Sequence, residues 1–143
     1  HDSNGRPSIM ASELRVNTLK DASGNNSVAT SVVANGSAKA WVNFNGTSTV
    51  AIRASNNVAS ITDNGTGDYT ANFTSAITDA NYAVTLGFTP YTTTNFTTYG
   101  AIYGDASTGA TTKTTSAIRL VYKNLANDSN FYDTIEVNAV IHR

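Results

Sequence analysis

Apolar and polar residues alternate in short runs along most of the chain, and this pattern constrains the fold more than any other feature of the sequence. In the clearest run, Ala40, Val42 and Phe44 alternate with Trp41 and Asn43. Side chains of a β-strand point alternately to opposite faces of a sheet, so such a run predicts a strand with one buried face. Comparable runs lie at residues 14–19, 49–53, 58–62, 69–74, 82–86, 96–103, 116–122 and 132–141.

Turn signals separate these runs. Asn45-Gly46 lies between two of them, and Asn-Gly is the strongest short-range signal of a tight β-hairpin. Residues 63–68, with the sequence DNGTGD, predict a second hairpin with a longer glycine-containing loop. The last run predicts one apolar and one polar face, the first with Ile135, Val137, Ala139 and Ile141 and the second with Glu136, Asn138 and His142.

Eight or nine short strands with turns at intervals of about 10 residues predict an all-β fold, an antiparallel, jelly-roll-like β-sandwich. Charged residues are only 13% of the chain and Glu occurs only twice, which disfavours the charged helix surfaces of an all-α protein.

We assign the sandwich to residues 38–143. Residues 10–37 have too few apolar residues for a core and are predicted to form an extended N-terminal arm for assembly contacts. Because residues 1–9 precede the sole methionine, Met10, we interpret them as a tag or vector remnant. The alternative is that His1 follows a proteolytic cut within a longer precursor.

Composition excludes several classes of function. The chain has no cysteine, so it can form neither a disulfide scaffold nor a thiolate metal site. A net charge of −1 provides little electrostatic attraction to phosphates, which argues against a nucleic-acid partner. The sequence contains no apolar stretch of the ~20 residues that a membrane helix needs. We therefore expect no cofactor, no bound metal, no nucleic acid and no membrane partner.

Catalytic residues are hard to assign. A triad needs a base, and the two histidines are His1 and His142, near opposite ends of the chain. A polysaccharide depolymerase would need two carboxylates flanking the sugar. Two pairs of carboxylates are conceivable. Asp63 and Asp68 bracket a turn, where an aspartate commonly hydrogen-bonds its own backbone. Asp133 and Glu136 are three residues apart on a predicted strand and so point to opposite faces. The expectation is a non-enzymatic protein.

The segment at residues 89–115 is the most distinctive, because it is rich in Thr, Gly and Tyr and nearly uncharged. It fits an ordinary strand with polar loops, whose tyrosines cover the edge of the core. It also fits a glycan-binding surface, because a tyrosine ring can stack on a sugar and its hydroxyl can hydrogen-bond. On the second interpretation the candidate ligand-binding residues are Tyr91, Asn95, Tyr99 and Tyr103.

Residues 10–88 resemble a module of tailed-phage tail fibres and related virion proteins, particularly those of phages of marine bacteria. The resemblance begins with MASELRVNTLKDASGNNS at Met10 and continues through residues 41–46, Ile52-Arg53 and residues 63–70, with Phe73 closing it. It implies a virion structural protein in a tail or capsid appendage. Such a protein is commonly a homotrimer with receptor binding at a β-rich tip. We expect this one to contact a host-surface glycan or another virion protein. It implies no catalytic residue. The alternative is a stand-alone, lectin-like carbohydrate-binding domain.

Overall fold

The computed structural model describes residues 15–90, 98–105, 110–124 and 127–143. Its internal contacts divide the chain into two units, His1–Asn35 and Gly36–Arg143. In chain order the elements are β1 (Thr18–Lys20), β2 (Ser27–Ala29), α1 (Thr30–Gly36), β3 (Ala38–Asn45), β4 (Ala51–Asn56), β5 (Val58–Gly65), β6 (Asp68–Phe73), β7 (Ala83–Pro90), β8 (Thr98–Ile102), β9 (Gly104–Asp105), β10 (Ala110–Thr111), β11 (Ala117–Asn124), β12 (Asn127–Phe131) and β13 (Thr134–His142).

Two antiparallel sheets form the larger unit. The first sheet has the order β4-β3-β13-β7, and the second has the order β12-β11-β6-β5 with β8 also paired to β11. Strands β9 and β10 form a separate two-stranded ribbon. The inner faces of the two sheets share one hydrophobic core, so the structure confirms the predicted all-β antiparallel sandwich.

The core consists of the residues that the alternating pattern turns inward. Ala40, Val42 and Phe44 are buried on β3, whereas Trp41 between them is 38% exposed. Aromatic rings fill the space between the sheets: the Phe44 and Tyr69 rings are 5.3 Å apart and meet edge to face. Burial of a large apolar side chain stabilises a fold by about 1.5–3 kcal/mol, so this layer dominates the stability of the sandwich.

Three buried tyrosines carry polar hydroxyls into this layer. The Tyr69 hydroxyl donates to the Gly46 carbonyl at 2.6 Å and is 3.0 Å from Asp133 Oδ1, and the Tyr82 hydroxyl lies 3.1 Å from the Thr114 carbonyl. The Tyr122 hydroxyl differs, because it is buried without a hydrogen-bond partner in the described part of the chain. Burial raises the pKa of all three phenols, that of Tyr82 to about 12.

The first predicted hairpin is present, with a different turn. Strands β3 and β4 pair, but residues 46–50 connect them, so Asn45-Gly46 is not a two-residue turn. Tertiary contacts fix this loop instead: the Gly46 N–H donates to the Thr134 carbonyl at 3.0 Å. A Cβ on Gly46 would lie 2.7 Å from the Tyr69 hydroxyl oxygen, so glycine is required here by close packing.

The second predicted hairpin, β5–β6, has a tighter connection than the sequence indicated. Strand β5 continues to Gly65, and only Thr66 and Gly67 form the turn. Gly67 has a φ of +62°, a left-handed conformation that favours glycine. The Gly67 N–H donates to Asp133 Oδ1 at 2.8 Å, so the turn is held against the segment that precedes β13.

The predicted faces of β13 are correct except at its start. Val137, Ala139 and Ile141 are buried as expected, but Ile135 is 38% exposed and Thr134 is fully buried in its place. The register between β13 and β7 shifts between Thr134 and Glu136, and such an irregularity moves the first residues of the strand to the other face. Sequence alternation does not reveal a bulge.

The described part of the predicted arm, residues 15–35, contains a hairpin of β1 and β2 followed by the short helix α1, so it is not extended throughout. A seven-residue helix gives too few turns for a periodic signal, which is why the sequence did not reveal it. None of these described residues is buried, and Leu19 and Val32 are 43% and 60% exposed. Among the described residues, no helix has the length and apolarity needed to cross a membrane.

Candidate functional site

Residues 98–103 of the tyrosine-rich segment lie at the β8 edge of the second sheet. Tyr99 is in β8, directly opposite Lys123 of β11, and Tyr103 follows the end of β8. Both tyrosines are half-buried. Their spacing of four residues places them on the same outward face, about 13 Å apart along the strand. The other two predicted residues, Tyr91 and Asn95, lie outside the described residues.

An arginine accompanies Tyr103 on this face. The Arg119 guanidinium carbon lies 4.1 Å from the centroid of the Tyr103 ring. The same guanidinium donates through Nε and Nη2 to the two oxygens of Asp68, at 2.7 Å and 2.5 Å. These bonds raise the pKa of Arg119 above its ordinary value. The forked ion pair fixes the guanidinium, and the guanidinium covers one side of the tyrosine ring.

A lysine occupies the equivalent position nearer β12. The Lys123 ammonium nitrogen lies 4.9 Å from the centroid of the Phe131 ring, which is the register partner of Lys123 on β12. Cation–aromatic contacts of this kind contribute about 0.5–1 kcal/mol at exposed sites. We call the surface formed by Tyr99, Tyr103, Arg119, Lys123 and Phe131 the cation–aromatic face.

An open cleft of about 580 Å³ continues this face at the β5–β6 turn, within the range of small-ligand sites. Polar groups and aromatic rings both line the cleft. Asn64 Nδ2 is 2.9 Å from Thr70 Oγ1 and 3.2 Å from Asp68 Oδ1, so its amide is oriented by the neighbouring strand. The lining residues, which we call the turn cleft, are Asn64, Gly65, Thr66, Asp68, Asn130, Phe131 and Tyr132.

Backbone hydrogen bonds bring the walls of the turn cleft together. The Tyr122 N–H donates to the Gly67 carbonyl at 2.8 Å, and the Tyr132 N–H donates to the Tyr122 carbonyl at 3.0 Å. Strand β12 is thereby held beside the β5–β6 turn. Asp68 and Phe131 belong to the cleft and also contact the two cations of the adjacent face, so the two surfaces form one site.

The carboxylates considered as catalytic pairs all have structural hydrogen-bond partners. Asp63 Oδ1 accepts from the Gly65 N–H at 2.9 Å, as expected for a turn aspartate. Asp68 pairs with Arg119, and Asp133 accepts from Gly67. In the described ranges, no cluster of three or more His, Asp or Glu side chains is arranged to hold a metal ion.

Several residues of this site could not be identified from the sequence. These residues carry no motif and are distant in sequence from the two tyrosines: Arg119, Lys123 and Phe131. Only the pairing of β11 with β8 and with β12 brings them close to Tyr99 and Tyr103. One signal was available, because Arg119 and Lys123 alternate with buried apolar residues and so must point outward.

Comparison of the chain with protein-family models, curated proteins and solved structures found no match.

Proposed function

We propose that this protein is a non-enzymatic recognition and assembly component that binds a surface glycan through the cation–aromatic face and the turn cleft. The observation that carries the proposal is the junction of these surfaces at Asp68 and Phe131, where aromatic rings lie beside amide, carboxylate and ammonium groups. Sugars present apolar ring faces and many hydroxyls, and a site of this composition satisfies both.

The charge of the site favours an acidic glycan. Asp68 is committed to Arg119 by two hydrogen bonds, so it does not neutralise the ammonium group of Lys123. Among the described residues, Lys123 contacts the Phe131 ring and forms no ion pair, so its ammonium group can pair with a carboxylate or another anionic group of a bound sugar. The resemblance of residues 10–88 to tailed-phage fibre modules supplies the setting, in which this surface belongs to a virion appendage and contacts the host cell.

Binding to an array of acidic and neutral bacterial surface polysaccharides tests the recognition role. We expect the protein to bind acidic members, and Phe131→Ala and Asn130→Ala to weaken binding at least tenfold, equivalent to about 1.4 kcal/mol. Asn130 is exposed, so its replacement leaves the fold intact. Thr74→Ala, at an exposed position just after the end of β6, is the matched control and should bind like the wild type. Absence of binding to every glycan, or unchanged binding by both cleft variants, would contradict the proposal.

The N-terminal unit favours an assembly role over a stand-alone lectin. Val16, Leu19 and Val32 are 37%, 43% and 60% exposed, and no described residue of this unit is buried. Apolar side chains that lack a core of their own gain stability when another chain covers them. We propose that the unit makes contacts between copies of the chain, as a homotrimer, and with other virion proteins.

Mass measurement in solution across a range of protein concentrations tests the assembly role. We expect a trimer for the wild type, and a shift toward monomer for the double variant Leu19→Ser/Val32→Ser, because these changes remove exposed apolar surface from the N-terminal unit. Thr62→Ser, at an exposed position of β5, is the control and should remain trimeric. A strict monomer at high concentration that still binds glycans would favour the lectin-like alternative.

A further inference from the structure

The single tryptophan of the chain lies on the outward face of the first sheet, opposite the core side. Trp41 is in β3, an inner strand of that sheet, and its register partners are Asn56 of β4 and Val140 of β13. Its side chain is 38% exposed. A large aromatic ring in the middle of an outward sheet face contributes little to the core and offers a flat apolar surface to a ligand.

Three hydrogen-bonded polar side chains adjoin Trp41 on the same face. Asn43 Nδ2 donates to Asn138 Oδ1 at 2.7 Å and to Glu136 Oε1 at 2.8 Å, and Asn138 Nδ2 donates to the same carboxylate oxygen at 3.0 Å. These donors hold the pKa of Glu136 below its ordinary value. The triad is therefore a fixed set of amide and carboxylate groups, and its nearest member, Asn43, lies about 7 Å along β3 from the tryptophan.

Beside the triad, β7 carries a glycine that the backbone does not require. Gly87 is the register partner of Asn138, and its φ lies outside the left-handed region. A Cβ added there would meet only the Asn138 side chain, at 3.6 Å, which is an ordinary van der Waals distance. Neither strain nor crowding explains this glycine. Its effect is to leave the β7 side of Asn138 without a covering side chain.

We propose that this surface, the Trp41 face of Trp41, Asn43, Glu136, Asn138 and Gly87, is a second glycan-binding site that takes a neutral, unbranched oligosaccharide. One sugar ring stacks on the indole, and hydroxyls of the neighbouring sugar bond to the triad. The Glu136 carboxylate accepts hydrogen bonds from hydroxyls. The Arg53 guanidinium, which donates to the Ile135 carbonyl at 2.7 Å, balances the charge of Glu136, so the surface has no net charge to attract an acidic sugar. Glycan recognition is thereby extended to the opposite side of the sandwich, with a preference for neutral sugars.

A second copy of the chain fits this face less well than a sugar does. Trp41 and Val140 form one narrow apolar row, and the polar triad separates them from exposed Ile135 at the start of β13. Stable protein interfaces bury about 800 Å² per partner around a continuous apolar centre. An isolated aromatic ring flanked by oriented amides matches the alternation of apolar ring face and hydroxyls in a sugar.

Tryptophan fluorescence of the full chain reports on this site alone, because Trp41 is the sole tryptophan. We expect saturable changes on titration with at least one of three neutral series, cello-, manno- and xylo-oligosaccharides. An oligogalacturonate should bind at least tenfold more weakly by the same readout. No saturable change with any of the three neutral series would overturn the proposal. A shift of the emission with protein concentration, without sugar, would also overturn it, since the face would then be an interface between copies.

Gly87→Val tests the geometry. The added side chain stands beside Asn138 and should weaken neutral-sugar binding at least tenfold, while the melting temperature stays at or above that of the wild type, because valine suits a strand better than glycine. Ala59→Val, at an exposed position of the second sheet, is the matched control and should bind like the wild type. Unchanged sugar affinity in Gly87→Val would contradict the proposal. If neutral sugars do not bind at the Trp41 face but acidic glycans still bind at the turn cleft, the second site is contradicted and the proposed function is not.

Discussion

Replacing Gly67 by alanine is expected to lower the free energy of unfolding by about 3 kcal/mol and the melting temperature by roughly 10–20 °C. Two causes act together. Gly67 has a φ of +62°, which L-residues adopt only with strain. An added Cβ would also lie 2.6 Å from the Tyr132 carbonyl oxygen and 2.8 Å from that of Tyr122, and backbone atoms of paired strands cannot easily move aside.

The same substitution should weaken acidic-glycan binding at temperatures where the variant is still folded. The contacts of Gly67 with Tyr122 and Tyr132 hold β12 beside the β5–β6 turn, and this arrangement forms the turn cleft. Gly87→Ala is the control, because its Cβ meets only ordinary contacts. Calorimetry of the two variants checks the stability difference. Equal melting temperatures would show that the turn does not pack on β12 as described.

The protein is expected to lose stability steeply above about pH 10, the ordinary pKa of tyrosine. Burial raises the pKa of Tyr69, Tyr82 and Tyr122, so the folded state keeps these phenols protonated while the unfolded chain ionises them. The contribution of these protonated phenols to the free energy of unfolding is complete below pH 10, and it is lost as the pH rises toward their pKa values in the folded state. Each such group lowers stability by about 1.4 kcal/mol per pH unit, so three give roughly 4 kcal/mol per pH unit.

Denaturant unfolding at a series of alkaline pH values measures this slope, and tyrosinate absorbance follows the ionisation. Tyr122→Phe should reduce the slope by about one third. It should not destabilise the protein at neutral pH, because the Tyr122 hydroxyl is buried without a partner in the part of the chain that the structure describes. Tyr69→Phe removes a hydroxyl with two partners and should destabilise by about 1 kcal/mol or more. A stability that is flat up to pH 12 would contradict the burial of these phenols.

Both glycine-containing hairpins were predictable from local sequence, but their turns were not. Asn45-Gly46 indicated a two-residue turn, yet Gly46 is instead packed against Tyr69 and Thr134, which are distant in sequence. The left-handed backbone of Gly67 is likewise held by its contacts with Tyr122 and Tyr132. A turn signal reports a local preference, whereas contacts made after the chain has folded select among the turns it permits.

For the candidate site too, one part was predictable from the sequence and the other part depends on tertiary contacts. The predicted Tyr99 and Tyr103 lie on one outward face, a consequence of their spacing in a strand. Their neighbours depend on strand register: Lys123 is opposite Tyr99, and Arg119 lies over Tyr103. The alternation placed Trp41 and Asn43 on the face opposite Ala40, Val42 and Phe44, but the triad joins side chains from β3 and β13, at the two ends of the sandwich sequence.

The sequence by itself determined that this protein is an all-β sandwich and, with few exceptions, which side chains face its core. Those properties follow from alternation within single strands, a local feature. The tertiary structure decided which outward side chains are neighbours, and so where cations lie over aromatic rings and where amides join the Glu136 carboxylate. The physical reason is that strand order and register depend on contacts between distant segments, and a shift of one residue changes every neighbour across the sheet.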